Sequence, residues 1–179
     1  EPRRDPSEVD RRRAQRAAES IRVKVGDRAN IDETLPYLTD GQRADVAFAE
    51  ARFAKDDGHG VLFTNGTGTG KTFTGLGIVK RFARRGRDNV LVVVPSQTIA
   101  ADWVRSGQAL DLDIKLLANT KDNGGSGPVI TTYANLSENA SLALRKWDLV
   151  VADEAHKLSE NADGEPTEAL RVLRALTGH

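Results

Sequence analysis

Lys71, Thr72, Asp153 and Glu154 are of the types, and in the local contexts, that handle a metal-bound polyphosphate. The first two close the stretch Thr64-Asn65-Gly66-Thr67-Gly68-Thr69-Gly70-Lys71-Thr72, which follows the apolar run Val61-Leu62-Phe63 and opens a helical pattern reaching about Arg85. Strand, glycine-rich turn, Lys-Thr and helix is the layout of a phosphate-binding P-loop. A polyphosphate needs several backbone N–H donors converging on it, and only residues without Cβ let a backbone come so close. Gly66, Gly68 and Gly70 would supply that freedom and, with the N–H groups of Thr67 and Thr69, form the cradle at a helix N-terminus, where unpaired N–H groups favour negative charge. Lys71 would reach the terminal phosphates and the Thr72 hydroxyl would ligate Mg²⁺, which makes ATP and Mg²⁺ the expected cofactors. Asn65 stands where the general pattern has its first glycine. The competing reading is a glycine-rich surface turn ahead of a lysine.

A second stretch answers the first. Leu149-Val150-Val151-Ala152 is an apolar strand that ends in Asp153-Glu154-Ala155-His156. This is a Walker B arrangement: Asp153 would hold the Mg²⁺ that also meets Thr72, and Glu154 would polarise an attacking water. Both are needed, since a carboxylate committed to a metal cannot also take a proton.

The elements that must carry these residues are legible from their rhythm. Runs at 61–63, 90–94, 114–117, 129–131 and 149–152 are short and mostly continuous, as strands buried on both faces of a parallel sheet read. Most intervening segments are long enough for helical crossovers. Phe73, Leu76, Val79 and Phe82 make an inward stripe on the helix after the P-loop, and Gly86 is its natural stop. Ser96 is a good N-cap after Pro95, for a helix with Ile99 and Trp103 one turn apart. Another helix is expected from about Asp40, with Val46, Ala49 and Phe53 on one face, and residues 122–128 read as a flexible loop. The fold class is α/β, a doubly wound, mostly parallel sheet with helices on both faces and ligands at the carboxyl ends of the strands.

Composition narrows the rest. Twenty-six basic and 26 acidic residues balance, so no global field announces a nucleic-acid binder, and such contacts must be local. There is no cysteine and only three scattered histidines, which leaves no thiolate or zinc framework. No apolar run approaches the ~20 residues of a membrane span, and no signal peptide is visible, so a cytoplasmic protein is expected. Residues 1–30 form a polar, Arg-rich extension in which a helix begins near Ser7, after Pro6, and carries Val9, Ile21, Val23 and Val25. It is either a solvated connecting helix or a basic arm on phosphates. Residues 31–179 form the α/β lobe.

Together, G-T-G-K-T and D-E-A-H resemble motifs I and II of helicase superfamily two, with Asn65 in place of the motif I alanine. Val90–Pro95 with Ser96-Gln97-Thr98 and Trp103 resembles motif Ia of the DNA-acting branches, Thr131-Thr132-Tyr133 resembles the motif Ib region, and Ala175-Leu176-Thr177-Gly178 resembles the start of motif III. The chain is thus similar, over roughly residues 33–178, to the first RecA-like lobe of a DEAH-type helicase or translocase. Its look is closest to phage and bacterial strawberry-notch-like and Swi/Snf-like proteins, in a bacterial or phage-infected cell. The resemblance implies that Gln42, after Leu35-Pro36-Tyr37, reads the adenine edge, for which an amide suits because it donates and accepts at once. Without the resemblance Gln42 is a polar surface residue. It also implies that His156 couples the nucleotide site to the motor, and that Pro95, Ser96, Gln97, Thr131, Thr132 and Tyr133 lie along nucleic acid. DNA is the expected partner, duplex ahead of single strand, with a second RecA-like lobe beside it. A chain that starts at Glu1, lacks methionine and stops at His179 is expected to be a piece of that motor, weak in hydrolysis by itself. A binding scaffold without turnover is the alternative. A small-molecule kinase would have no use for D-E-A-H followed by Thr-Gly.

Overall fold

A computed structural model describes residues 6–55, 60–64, 69–117, 119–153 and 176. Helices α1 (Pro6–Ala18), α2 (Arg28–Thr34) and α3 (Asp40–Ala54) precede strand β1 (Gly60–Thr64). Then follow α4 (Thr69–Arg84), β2 (Val90–Val94), α5 (Gln97–Ala109), β3 (Lys115–Leu116), β4 (Val129–Thr132), α6 (Tyr133–Glu138), a 3-10 turn at Ala140–Leu144 and β5 (Leu149–Asp153). Among the described residues all four strand pairings are parallel, in the order β1-β5-β2-β4-β3.

The continuous apolar runs find their explanation in two cores. Val90, Val92, Val94, Leu149 and Val151 face a core shared with α2, α3, α4 and α5, whereas Leu91, Val93, Val150 and Ala152 face one completed by Leu136, Leu142 and Trp147. Because successive side chains alternate between faces, a strand covered on both sides must be apolar throughout. The run at 114–117 departs from that expectation: it yields only the two-residue edge strand β3, with Lys115 and Leu116 both exposed.

Helix α4 departs from the expected one-sided stripe. Every residue from Thr74 to Phe82 is buried, Lys80 and Arg81 included, while Phe73 is only partly so. A helix enclosed on all sides must neutralise its charges internally. The Arg81 guanidinium uses all five N–H groups: Nε and Nη2 clasp Glu50 at 2.6 and 3.0 Å, Nη1 meets Asn30 Oδ1 and Thr34 Oγ1, and Nη2 also reaches the Lys24 carbonyl. Lys80 donates to Glu19 and to the Leu110 carbonyl. The helix stops where expected: Gly86 takes φ +79°, its N–H returns to the Ala83 carbonyl and that of Arg87 to Phe82, a Schellman closure.

Two further expectations are corrected. Helix α1 ends at Ala18, so Ile21, Val23 and Val25 lie beyond it in an irregular strap. The strap's polar backbone is claimed from outside: Arg84 takes the Ile21 carbonyl, Arg81 that of Lys24, and Asn30 Oδ1 accepts the Lys24 N–H. Residues 122–128 are tied down rather than free. Arg145, its guanidinium over the Trp147 ring, donates to the carbonyls of Asn123 and Gly127, and Asn139 donates to that of Asp122.

Candidate active site

Strand register builds the site. Thr64 and Asp153, the last residues of β1 and β5, are direct partners across the pairing, so both stand at the carboxyl edge of the sheet. The Thr64 hydroxyl donates to Asp153 Oδ1 at 2.9 Å, and the Trp103 indole N–H, from α5, donates to Oδ2 at 3.3 Å. The Tyr133 hydroxyl donates to the Asp153 main-chain carbonyl at 2.7 Å. Asp153 is 1% exposed. A buried carboxylate is tolerated when donors meet it. None of these three donors stood out in the sequence as a partner of Asp153, because only pairing brings them there.

Beside that edge, α4 begins at Thr69. Lys71 is exposed, with Nζ 4.0 Å from Asp45 Oδ2 on α3, and Thr72 is half-buried. Thr39 caps α3 in a reciprocal box with Gln42: the Gln42 N–H meets Thr39 Oγ1, and Gln42 Oε1 accepts the Thr39 N–H at 2.9 Å. Gln42 Nε2 then donates to the Gly70 carbonyl at 3.2 Å, which ties α3 to the first turn of α4. An amide has two N–H donors and two carbonyl lone pairs, so one of each remains for a ligand. The residues Thr39, Gln42, Asp45, Gly70, Lys71 and Thr74 bound a cavity of about 490 Å³, of the size that small ligands occupy. Tyr37 packs on Phe73 beside this junction, ring centroids 5.9 Å apart.

Of the other residues singled out, Pro95 and Ser96 are half-buried and Gln97 is exposed, with the Ser96 hydroxyl capping α5 through the Ile99 N–H. Thr131 and Thr132 are buried, at 2% and 7% exposure. Thr131 Oγ1 accepts from Asn135 Nδ2 and Thr132 caps α6, so both hydroxyls serve the fold, while Tyr133 reaches Asp153. Gly66, Thr67, Gly68, Glu154 and His156 lie outside the described residues, as does the Thr69 side chain.

The donor set suits a magnesium ion shared with phosphates. Among the described residues no three His, Asp or Glu side chains cluster around a metal position. Mg²⁺ commonly takes only one or two carboxylates, with substrate phosphates and waters completing its shell. Asp153 has two of about four carboxylate lone pairs engaged, which leaves capacity for such an ion.

The sequence matches the family described as type III restriction enzyme, res subunit, over residues 15–176. The chain belongs to this family. As a res-subunit-type domain with a five-stranded parallel sheet, it has the RecA-like P-loop architecture of a superfamily-two helicase lobe, an ATP-dependent motor unit. Such lobes work with Mg·ATP, nucleic acid and a partner lobe as a class. Comparison with curated proteins gives no match. No helix among the described residues is long and apolar enough to cross a membrane.

Proposed function

We propose that this chain is the first, ATP-binding lobe of a DEAH-type DNA helicase or translocase of bacterial or phage kind, at work in the cytoplasm. The observation that carries the reading is the pairing of Thr64 with Asp153, which sets the end of the P-loop strand beside the proposed Walker B carboxylate. In this reading residues 65–72 hold the phosphates, Lys71 leaves Asp45 to meet the terminal ones, and Gln42 turns its spare donor and acceptor to adenine. Thr72 and Asp153 hold Mg²⁺, whose part is to neutralise charge developing on the transferred phosphoryl group. Glu154 takes a proton from the attacking water, and His156 relays the state of the site to the motor.

DNA runs past the edge formed by Pro95, Ser96 and Gln97 and the turn at Thr131, Thr132 and Tyr133, with duplex preferred. The buried threonines shape that turn, and Gln97 is the exposed member that meets phosphate. Residues 1–30 form an extension ahead of the lobe proper at 31–179. A second lobe would contribute an arginine worth ~10³–10⁵ in rate, or ~4–7 kcal/mol of barrier, so the chain alone should bind Mg·ATP and turn it over poorly.

The test compares ATP hydrolysis by this chain and by a version extended through the next lobe, each alone and with duplex DNA, single strands and RNA. Turnover confined to the extended protein and stimulated by duplex DNA is expected. Glu154→Gln in the extended protein should abolish turnover while nucleotide binding persists. Silence of the extended protein with every nucleic acid would replace the motor with a binding scaffold.

A further inference from the structure

Trp103 touches both halves of the site. Its indole N–H donates to Asp153 Oδ2 at 3.3 Å, and its ring lies so close to α4 that a Cβ at Gly75 would fall 2.8 Å from Cη2. Gly75 stands one turn beyond Thr72 on the same helix, so a single buried ring spans from the helix bearing one proposed Mg²⁺ ligand to the carboxylate that is the other. Its own helix, α5, starts at Gln97, directly after Pro95 and Ser96. The Asp153 main-chain carbonyl is held in parallel by Tyr133, the first residue of α6.

We infer that Trp103 is a positioning residue for the Mg²⁺ carboxylate: its N–H orients Asp153, its ring sets the spacing of Asp153 from α4, and α5 thereby links the 95–97 edge to the metal. A carboxylate with both oxygens hydrogen-bonded cannot rotate freely, and partners that orient a metal ligand commonly govern ~10–100-fold of metal affinity. The Thr64 hydroxyl fixes Oδ1 alone, and a single donor leaves the group free to swing about that bond. Only Trp103 holds Oδ2 among the hydrogen bonds of the described residues. A tryptophan needed solely as core filling would have no reason to aim its N–H at a carboxylate when a main-chain carbonyl suffices, as Trp147 does with Leu142.

The inference rests on the Mg·nucleotide reading above, and the experiment separates the two. The affinity of this chain for a fluorescent ADP analogue is measured in Mg²⁺ and in EDTA, for the wild type, Trp103→Phe and Asp153→Asn. If the wild type gains nothing from Mg²⁺, the site reading itself fails. If it gains, Trp103→Phe is expected to lose ~10-fold or more of that gain, with EDTA affinity unchanged within about two-fold, and Asp153→Asn to lose it all. A Trp103→Phe variant with the full Mg²⁺ gain overturns the inference, as does an equal loss with and without metal, the mark of mere packing. Should Trp103→Phe not fold, benzothienylalanine replaces tryptophan in a Trp147→Phe background, keeping the ring and deleting the N–H. The same two affinities then decide.

Discussion

Replacing Arg81 by methionine puts the buried clamp behind α4 to a quantitative test. Arg81 and Glu50 are both essentially inaccessible to solvent, and Glu50 Oε1 additionally accepts the Gly26 N–H at 2.8 Å. Methionine fills much the same volume, so packing changes little and the charge is what is lost. Glu50 would be left buried without its guanidinium partner and with one backbone donor, and Asn30, Thr34 and the Lys24 carbonyl would each lose a partner. Removing one member of a buried pair costs ~3–5 kcal/mol, against a total stability of ~5–15 kcal/mol. At about 2–4 °C per kcal/mol for a chain of this size, Tm should fall by about 6–20 °C. The assay is thermal unfolding by circular dichroism, with Glu50→Leu and the double variant alongside. The double variant should lose less than the sum of the single losses, because it strands no charge. A fall in Tm under ~3 °C for Arg81→Met, or strict additivity in the cycle, would refute the reasoning.

Gly75→Ala sets two effects of opposite sign against each other: ~1 kcal/mol of helix propensity gained and ~1–3 kcal/mol lost as the new methyl meets the Trp103 ring. Because that ring is buried and its N–H is engaged by Asp153, a Tm lowered by a few degrees, with altered tryptophan emission, is expected; a raised Tm would mean the ring moves freely. Gln42→Ala removes half of the α3 capping box and the bond to Gly70, at ~1 kcal/mol of stability. On the proposed reading it also erases any preference of the chain for ATP over GTP, which competition binding measures; a preserved preference would free Gln42 from the base.

Much of the scaffold was legible because it depends on local or periodic signals. The strand positions follow from short, mostly continuous apolar runs, clearest in β2, Ser96 from its place ahead of α5, and Gly86 from the need for positive φ at a helix end. What stayed hidden depends on which segments meet in space. Lys80 and Arg81 look like a solvent face until Glu19 and Glu50 are brought against them. Helix α2 is short and two of the three residues in its buried stripe, Asn30 and Thr34 beside Ile31, are polar, so no periodicity announces it. The motif carboxylate Asp153 could be named from sequence, whereas its partners Thr64, Trp103 and Tyr133 lie on three other elements and could not. The threonines at 131 and 132, read as lying along nucleic acid, turn out to face inward and to satisfy α6.

The strand order carries a consequence for how the chain assembles. β5 lies between β1 and β2 yet is the last of the five described strands in sequence. A growing or refolding chain can join β2, β3 and β4 early, through the crossover of α5. Among the described residues β1 has no partner in the sheet until residues 149–153 arrive. Thr64 and Asp153 are 89 positions apart; closing so long a loop is slow, and non-local parallel pairing is the slowest kind. Among the described strands the β1–β5 edge is therefore the last to close, and until it does β1 is an unpaired apolar strand of the sort that chaperones bind and aggregates grow from.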